Sequence, residues 1–226
     1  QVALARLYSS RSQFEEAQKT LESACSLHGE TAAAWLALGD FLADRKLTDA
    51  AQSVLQRGAE SVRTDADKRQ LSIRSAALQI TSGDRVAGIQ ELSRLAAEDE
   101  RDLRVRGMLL NVPDVLQDEA RAQKLVDEIR KVEGETGMLW RLHQARRWLS
   151  LPGWRVRQAE IETALKYCID ADPQWPSPSL VLGGMYEQLL DWPAADRVYA
   201  NGFRATNSVD LADRWVAVLQ RLQRFD

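Results

Sequence analysis

The sequence predicts an all-α protein, a solenoid of antiparallel helical hairpins, on three observations. Apolar residues recur at helical spacing along almost the whole chain, and strand-like alternation is nearly absent. Glycine and proline are few and sit mostly between helical stretches, where they end one helix and turn into the next. A bulky apolar residue also returns at a near-constant interval: Leu21, Leu55, Leu92, Val126, Leu165 and Tyr199 are separated by 34, 37, 34, 39 and 34 residues. Three of those pairs are in strict register, with insertions of three and five residues between them.

The neighbours of these six residues repeat too. Four positions earlier stand Ala17, Ala51, Gly88, Ala122, Ile161 and Ala195, mostly small. Three positions later stand Ala24, Gly58, Leu95, Ile129, Cys168 and Gly202, small in four cases of six. A small residue lets a neighbouring helix approach, and a bulky one fills the hole a turn further on. An ordinary helical bundle has no reason to renew that alternation every 34 residues.

Taken in order, the ruler divides the chain into approximate repeats 1–30, 31–66, 67–100, 101–135, 136–175 and 176–209, with 210–226 as a capping or partial-repeat helix. The first helix carries Leu4, Ala5 and Tyr8, and the next hairpin opens on Trp35-x2-Leu38-Gly39-x2-Leu42. Residues 68–82 keep Leu71, Ala76, Leu78 and Ile80 without a Leu-Gly pair, and 102–111 form a short apolar helix stopped by Pro113. Residues 137–150 carry Trp140, Leu142, Ala145, Trp148 and Leu149, then break at Pro152-Gly153. The helix with Leu165-x2-Cys168 ends at Asp172-Pro173, and Leu182-Gly183-x2-Tyr186 follows. Tyr186 is expected in the core, where truncation to alanine costs roughly 3–5 kcal/mol. The terminal stripe is Leu211, Trp215, Val218 or Leu219, and Leu222.

Leu182-Gly183-x2-Tyr186 with Ala195-x3-Tyr199, and Trp35-x2-Leu38-Gly39, resemble the tetratricopeptide repeat, whose signature is W-x2-L-G-x2-Y…A-x3-F…P over 34 residues. The resemblance covers nearly the whole chain, strong at both ends and degenerate between. Ser179 stands where tryptophan is usual and Leu42 where an aromatic is. It implies a right-handed superhelix, with the first helix of each hairpin lining a concave side that binds proteins. Gln1 begins inside a helix, so a fragment of a longer array is expected, and cytoplasmic and periplasmic settings both stay open.

Composition narrows the alternatives. The chain is 45% hydrophobic, enough for a substantial core, and its net charge of -3 lacks the basic stripe of a nucleic-acid groove. No run approaches the roughly 18 apolar residues of a membrane span. Cys25 and Cys168 fall on apolar helix faces and read as small buried thiols. His28 ends a helix beside Gly29, where an imidazolium meets the negative end of the dipole. His143, followed by Arg146 and Arg147, reads as a packing or surface residue. No HExxH, GxSxG or phosphate-loop motif is present, and Gly183-Gly184 lies inside a helix. The acidic stretches Glu98–Glu100 and Asp170–Asp172 lack the frame of a calcium loop. The expectation is no catalysis, no cofactor and no metal.

A partner is expected to be a protein or peptide. By helical phase the first helices direct Asp40, Asp44, Arg74 and Arg104 into the groove, with Asn111, Arg146, Arg147, Glu187 and Gln188 further on. The guanidinium cluster suits carboxylates, so an extended, partly acidic peptide along the middle is one reading and a solvated polar face the other. Asp40 at an inward slot repels a C-terminal carboxylate, against the lysine and asparagine clamp of the family's co-chaperone members. Trp140, Trp148 and Trp154 either fill space around Pro152-Gly153 or form an aromatic platform for a sugar or peptide. The alternatives to a peptide-binding scaffold are a segment positioning a larger enzyme or a secretion or polysaccharide-export assembly, and self-association through Leu211, Trp215, Leu219 and Leu222.

Overall fold

The computed structural model describes residues 1–223, which contain fourteen α-helices, one 3-10 turn and no strand. The last three residues of the expected terminal segment lie outside the described ones. The chain divides into two compact units, meeting between Val105 and Arg106. In the first, α1 (Val2–Ser10) pairs with α2 (Phe14–His28), α3 (Ala32–Asp44) with α4 (Thr48–Ser61), and α5 (Asp65–Ser82) with α6 (Arg85–Glu98). The boundary falls within α7 (Leu103–Leu110). In the second, α8 (Pro113–Gln117) packs on α9 (Glu119–Glu133), α10 (Leu139–Ser150) on α11 (Gln158–Ala171), and α12 (Pro176–Gln188) on α13 (Trp192–Thr206). The closing helix α14 (Val209–Arg221) lies against α13.

Three of the hairpins reverse by one recurring device. Ser12, Lys46 and Leu190 adopt left-handed backbone with φ of 60°, 61° and 59°. The next amide then returns to the carbonyl five residues back, Gln13 to Tyr8, Leu47 to Leu42 and Asp191 to Tyr186, each at 2.9 Å. That bond satisfies a carbonyl the helix end leaves open. Thr64, Asp84, Asp118 and Asp191 cap the helices that follow them by accepting from an amide three residues on. The α10–α11 connection departs from this, running through a 3-10 turn at Trp154–Arg157.

Packing follows the ruler. Leu21, Leu55, Leu92, Val126, Leu165 and Tyr199 are all buried, as are the small residues four positions before and three after them. The glycines show why small residues are needed. A Cβ on Gly183 would stand 2.3 Å from the Tyr199 ring, one on Gly39 2.8 Å from Leu55, and one on Gly58 2.6 Å from Trp35. Trp35 rests on Gly58 and donates its indole N–H to the Gly29 carbonyl at 2.9 Å.

Two expectations change. Tyr186 is only half-buried, and the fully buried residue of its turn is Met185. The aromatic at the centre of this hairpin is Tyr199, lying over Gly183. The terminal stripe is spent within the unit rather than left free. Leu211 and Val218 are buried with Ala195 and Tyr199, Trp215 bonds Asp196 at 2.7 Å and tilts against Phe203, and Leu222 packs on the same cluster.

Replacing Tyr199 with alanine is expected to cost about 3–5 kcal/mol in urea unfolding, and more than Tyr186→Ala. Gly183→Ala places a methyl against that ring and should destabilise by about 1–3 kcal/mol despite alanine's better helix propensity. Gly184→Ala, one residue on and with nothing nearer than 3.9 Å, should instead gain up to about 1 kcal/mol. Equal effects of the two alanines contradict the packing described here.

Candidate functional site

The second unit contains an open groove of about 1060 Å³ between α12 and α14. Its α12 wall is Ser177, Leu180, Val181 and Gly184, at the i, i+3, i+4 and i+7 spacing of a single helical face. The facing wall, on α14, is Asp210, Asp213, Arg214 and Ala217, the same four positions 33 residues later. Gly184 and Ala217 leave the floor low, and Leu180 and Val181 make it apolar. Arg146 reaches in from α10.

Charge in the groove is bipolar. Asp210 and Asp213 are exposed and have no ion-pair partner among the described residues. Glu187 accepts a hydrogen bond from the Tyr199 hydroxyl and lies 3.9 Å from Arg214. Burial and that carboxylate together push the Tyr199 phenol above its ordinary range. Arg146 donates to the Asn111 side chain, and burial lowers its pKa.

Of the residues expected in a binding face, the structure brings Arg146, Glu187 and Gln188 together in this groove, with Asn111 bonded to Arg146. Arg147 is half-buried, its Nε without an acceptor. In the first unit Arg74 forms an ion pair with Asp40 across α5 and α3, so those two charges are spent on each other, while Asp44 and Arg104 are exposed. Asp210, Asp213 and Arg214 were missed. Their offset of 33 residues from Ser177, Leu180 and Val181 is the signal in the sequence, consistent with 210–226 as a partial-repeat helix.

Comparison with known proteins bears on this arrangement. The tetratricopeptide repeat family matches residues 1–41. A tetratricopeptide repeat protein from Parabacteroides merdae superposes with a TM-score of 0.68 at 14% identity, over 99% of this chain and 86% of that one. Yeast Tom70 gives 0.73 at 15% identity, over all of this chain and 47% of its own. A chain of the APC/C hetero-tetramer Cut9–Hcn1 gives 0.62 at 13% identity, over 91% and 40%. No curated protein matches by sequence. The chain has the tetratricopeptide-repeat fold.

Within that fold one hairpin is built differently. Trp140 of α10 repeats Trp35 of α3, down to an indole N–H donated to the carbonyl six residues back, Gly134, at 3.1 Å. Trp35 sinks onto Gly58, but Cys168 holds that place in α11 and Trp140 stays half-exposed. Four residues on, where α3 has Gly39 and α12 has Gly183, α10 has Gln144. Its side chain is buried, and an apolar cleft runs between α10 and α11, walled by Trp140, Trp148 and Tyr167. Trp154 is not part of it and packs on the core. Cys25 and Cys168 are both free and buried, and burial pushes each thiol up to about 11. Among the described residues no three His, Cys, Asp or Glu side chains group as a metal site.

His143 lies on the opposite side of that helix from solvent, 3% exposed, with its ring against Gly107 and Nδ1 without a partner. Burial and then the Arg146 charge push its pKa down to about 4. The folded state therefore binds the proton less well than the unfolded chain, and His143 favours folding fully above pH 6.5 and progressively less as pH falls towards 4. The stability lost across that window is on the order of 3 kcal/mol. Urea unfolding at pH 7 and pH 4.5 should show a smaller acid loss in His143→Leu than in the parent chain. Equal losses would place the acid sensitivity elsewhere.

Proposed function

We propose that this chain is a scaffold that binds proteins without chemistry of its own, and that the groove between α12 and α14 holds an extended segment of its partner. The fold supports protein–protein interaction in general, and in Cut9–Hcn1 a chain of this fold is part of a multi-chain assembly. The observation that carries the finer reading is the pair of matched helical faces, with an apolar floor between free carboxylates on α14 and the Arg146 guanidinium on α10. Such a groove suits a peptide with a cationic residue over Asp210 and Asp213, small or aliphatic residues over Gly184, and a carboxylate towards Arg146.

This shifts the expected ligand from an acidic peptide to a bipolar one, because Arg74 is already paired with Asp40. Self-association through Leu211, Trp215, Leu219 and Leu222 has less support, since Leu211, Trp215 and Leu222 pack in one cluster with Ala195 and Tyr199 of α13. Among the described residues no helix is long and apolar enough to cross a membrane.

Panning a displayed library of random dodecapeptides on the intact 226-residue chain tests the reading. Enriched peptides should carry a lysine or arginine and bind the Asp210→Lys/Asp213→Lys chain at least about tenfold more weakly, a loss of about 1.4 kcal/mol. Peptides that bind both chains equally would move the interaction away from this groove.

A further inference from the structure

The cleft between α10 and α11 shares no residue with that groove and has its own unmet chemistry. Its walls are rings: Trp140 and Trp148 on α10, two turns apart on one face, and Tyr167 on α11. Arg141 stands between Trp140 and Tyr167, 4.4 and 4.1 Å from the two ring centres, and donates to the Gly137 carbonyl. Other polar groups at the rim have partners. Glu160 takes Arg157 at 2.9 Å, and the Thr163 hydroxyl donates to the Ala159 carbonyl at 2.8 Å.

Gln144 is the exception. It lines the cleft at 7% exposure, and its Nε2 is buried without an acceptor. Its other amide atom accepts a long 3.3 Å bond from Gln123, whose amide is committed to Asp127 at 2.7 Å. Gln123 thereby fixes which way round the Gln144 amide sits, with the donor left over. At 3.3 Å that bond is long, so it opposes only weakly the shift that brings the buried Nε2 to the cleft surface.

We propose that this cleft is a second peptide site. An aromatic or large aliphatic side chain of a partner protein inserts between Trp140 and Trp148, and its main-chain carbonyl accepts from Gln144 Nε2. The walls are largely apolar rings, which suits a peptide side chain needing apolar contact and one oxygen partner better than a sugar with several hydroxyls to satisfy. The proposal does not rest on the groove between α12 and α14.

The probe is the capped tripeptide acetyl-Ala-Phe-Ala-amide, titrated into the intact chain and followed by the indole N–H resonances. Saturable shifts are expected at Trp140 and Trp148 and not at Trp35 or Trp215. Gln144→Met, which keeps the bulk and removes the amide, should weaken binding at least about fivefold, and Thr163→Trp, which fills the cleft from α11, should abolish it. Thermal unfolding of both variants verifies that the hairpin is folded, and Asp213→Lys should leave the tripeptide's affinity unchanged. No saturable shift at the two indoles overturns the proposal, as does binding indifferent to both cleft variants. Shifts produced by chitotriose and not by the tripeptide overturn it in favour of a carbohydrate site.

Discussion

Everything in this chain depends on how closely the two helices of a hairpin approach. The contact that sets the distance is a small residue lying under a bulky one: Gly183 under Tyr199, Gly39 under Leu55, Gly58 under Trp35. Interiors pack to crystalline density, so a single methyl at such a point has no space to occupy. Bulky and small residues must therefore recur together, which is why both recur at the same interval in the sequence. Close approach also lets the left-handed turns at Ser12, Lys46 and Leu190 reverse the chain in so few residues.

Between successive hairpins a different set of contacts keeps register. The Ala32 amide donates to Asp67, Arg69 donates to Asp102, and Arg146 donates to Asn111, each bond joining residues 33 to 35 apart. Arg74 and Asp40 form an ion pair at the same interval. Polar residues on a first helix thus have a second use besides meeting a ligand, which is to tie one repeat to the next. The partly exposed pairs among them contribute little energy singly, and their value lies in orientation.

Departure from the small-under-bulky rule creates the most distinctive feature. At α10–α11 Gln144 stands where α3 and α12 have glycine. Trp140 remains half-exposed, and a buried amide is left without its acceptor. An unmet buried donor costs roughly 1–3 kcal/mol. The connection between these two helices is also longer, running through the 3-10 turn at Trp154–Arg157.

The periodic core was legible in the sequence, because helical spacing and the 34-residue interval are properties of the chain read in one dimension. Leu21 through Tyr199, with the small residues around them, were placed correctly for that reason. The candidate site was legible only in part. Arg146, Glu187 and Gln188 were named, but that Arg74 is neutralised by Asp40 depends on a rotamer choice between two helices, which spacing does not encode. Tyr186 and Met185 are adjacent, and which of them faces inwards depends on the small rotation of α12 needed to seat Tyr199 on Gly183. The free carboxylates of α14 and the acceptorless amide of Gln144 likewise belong to tertiary structure. Whether a polar atom finds a partner is decided by what the fold brings within about 3 Å of it, and the sequence specifies that distance only through the whole packing.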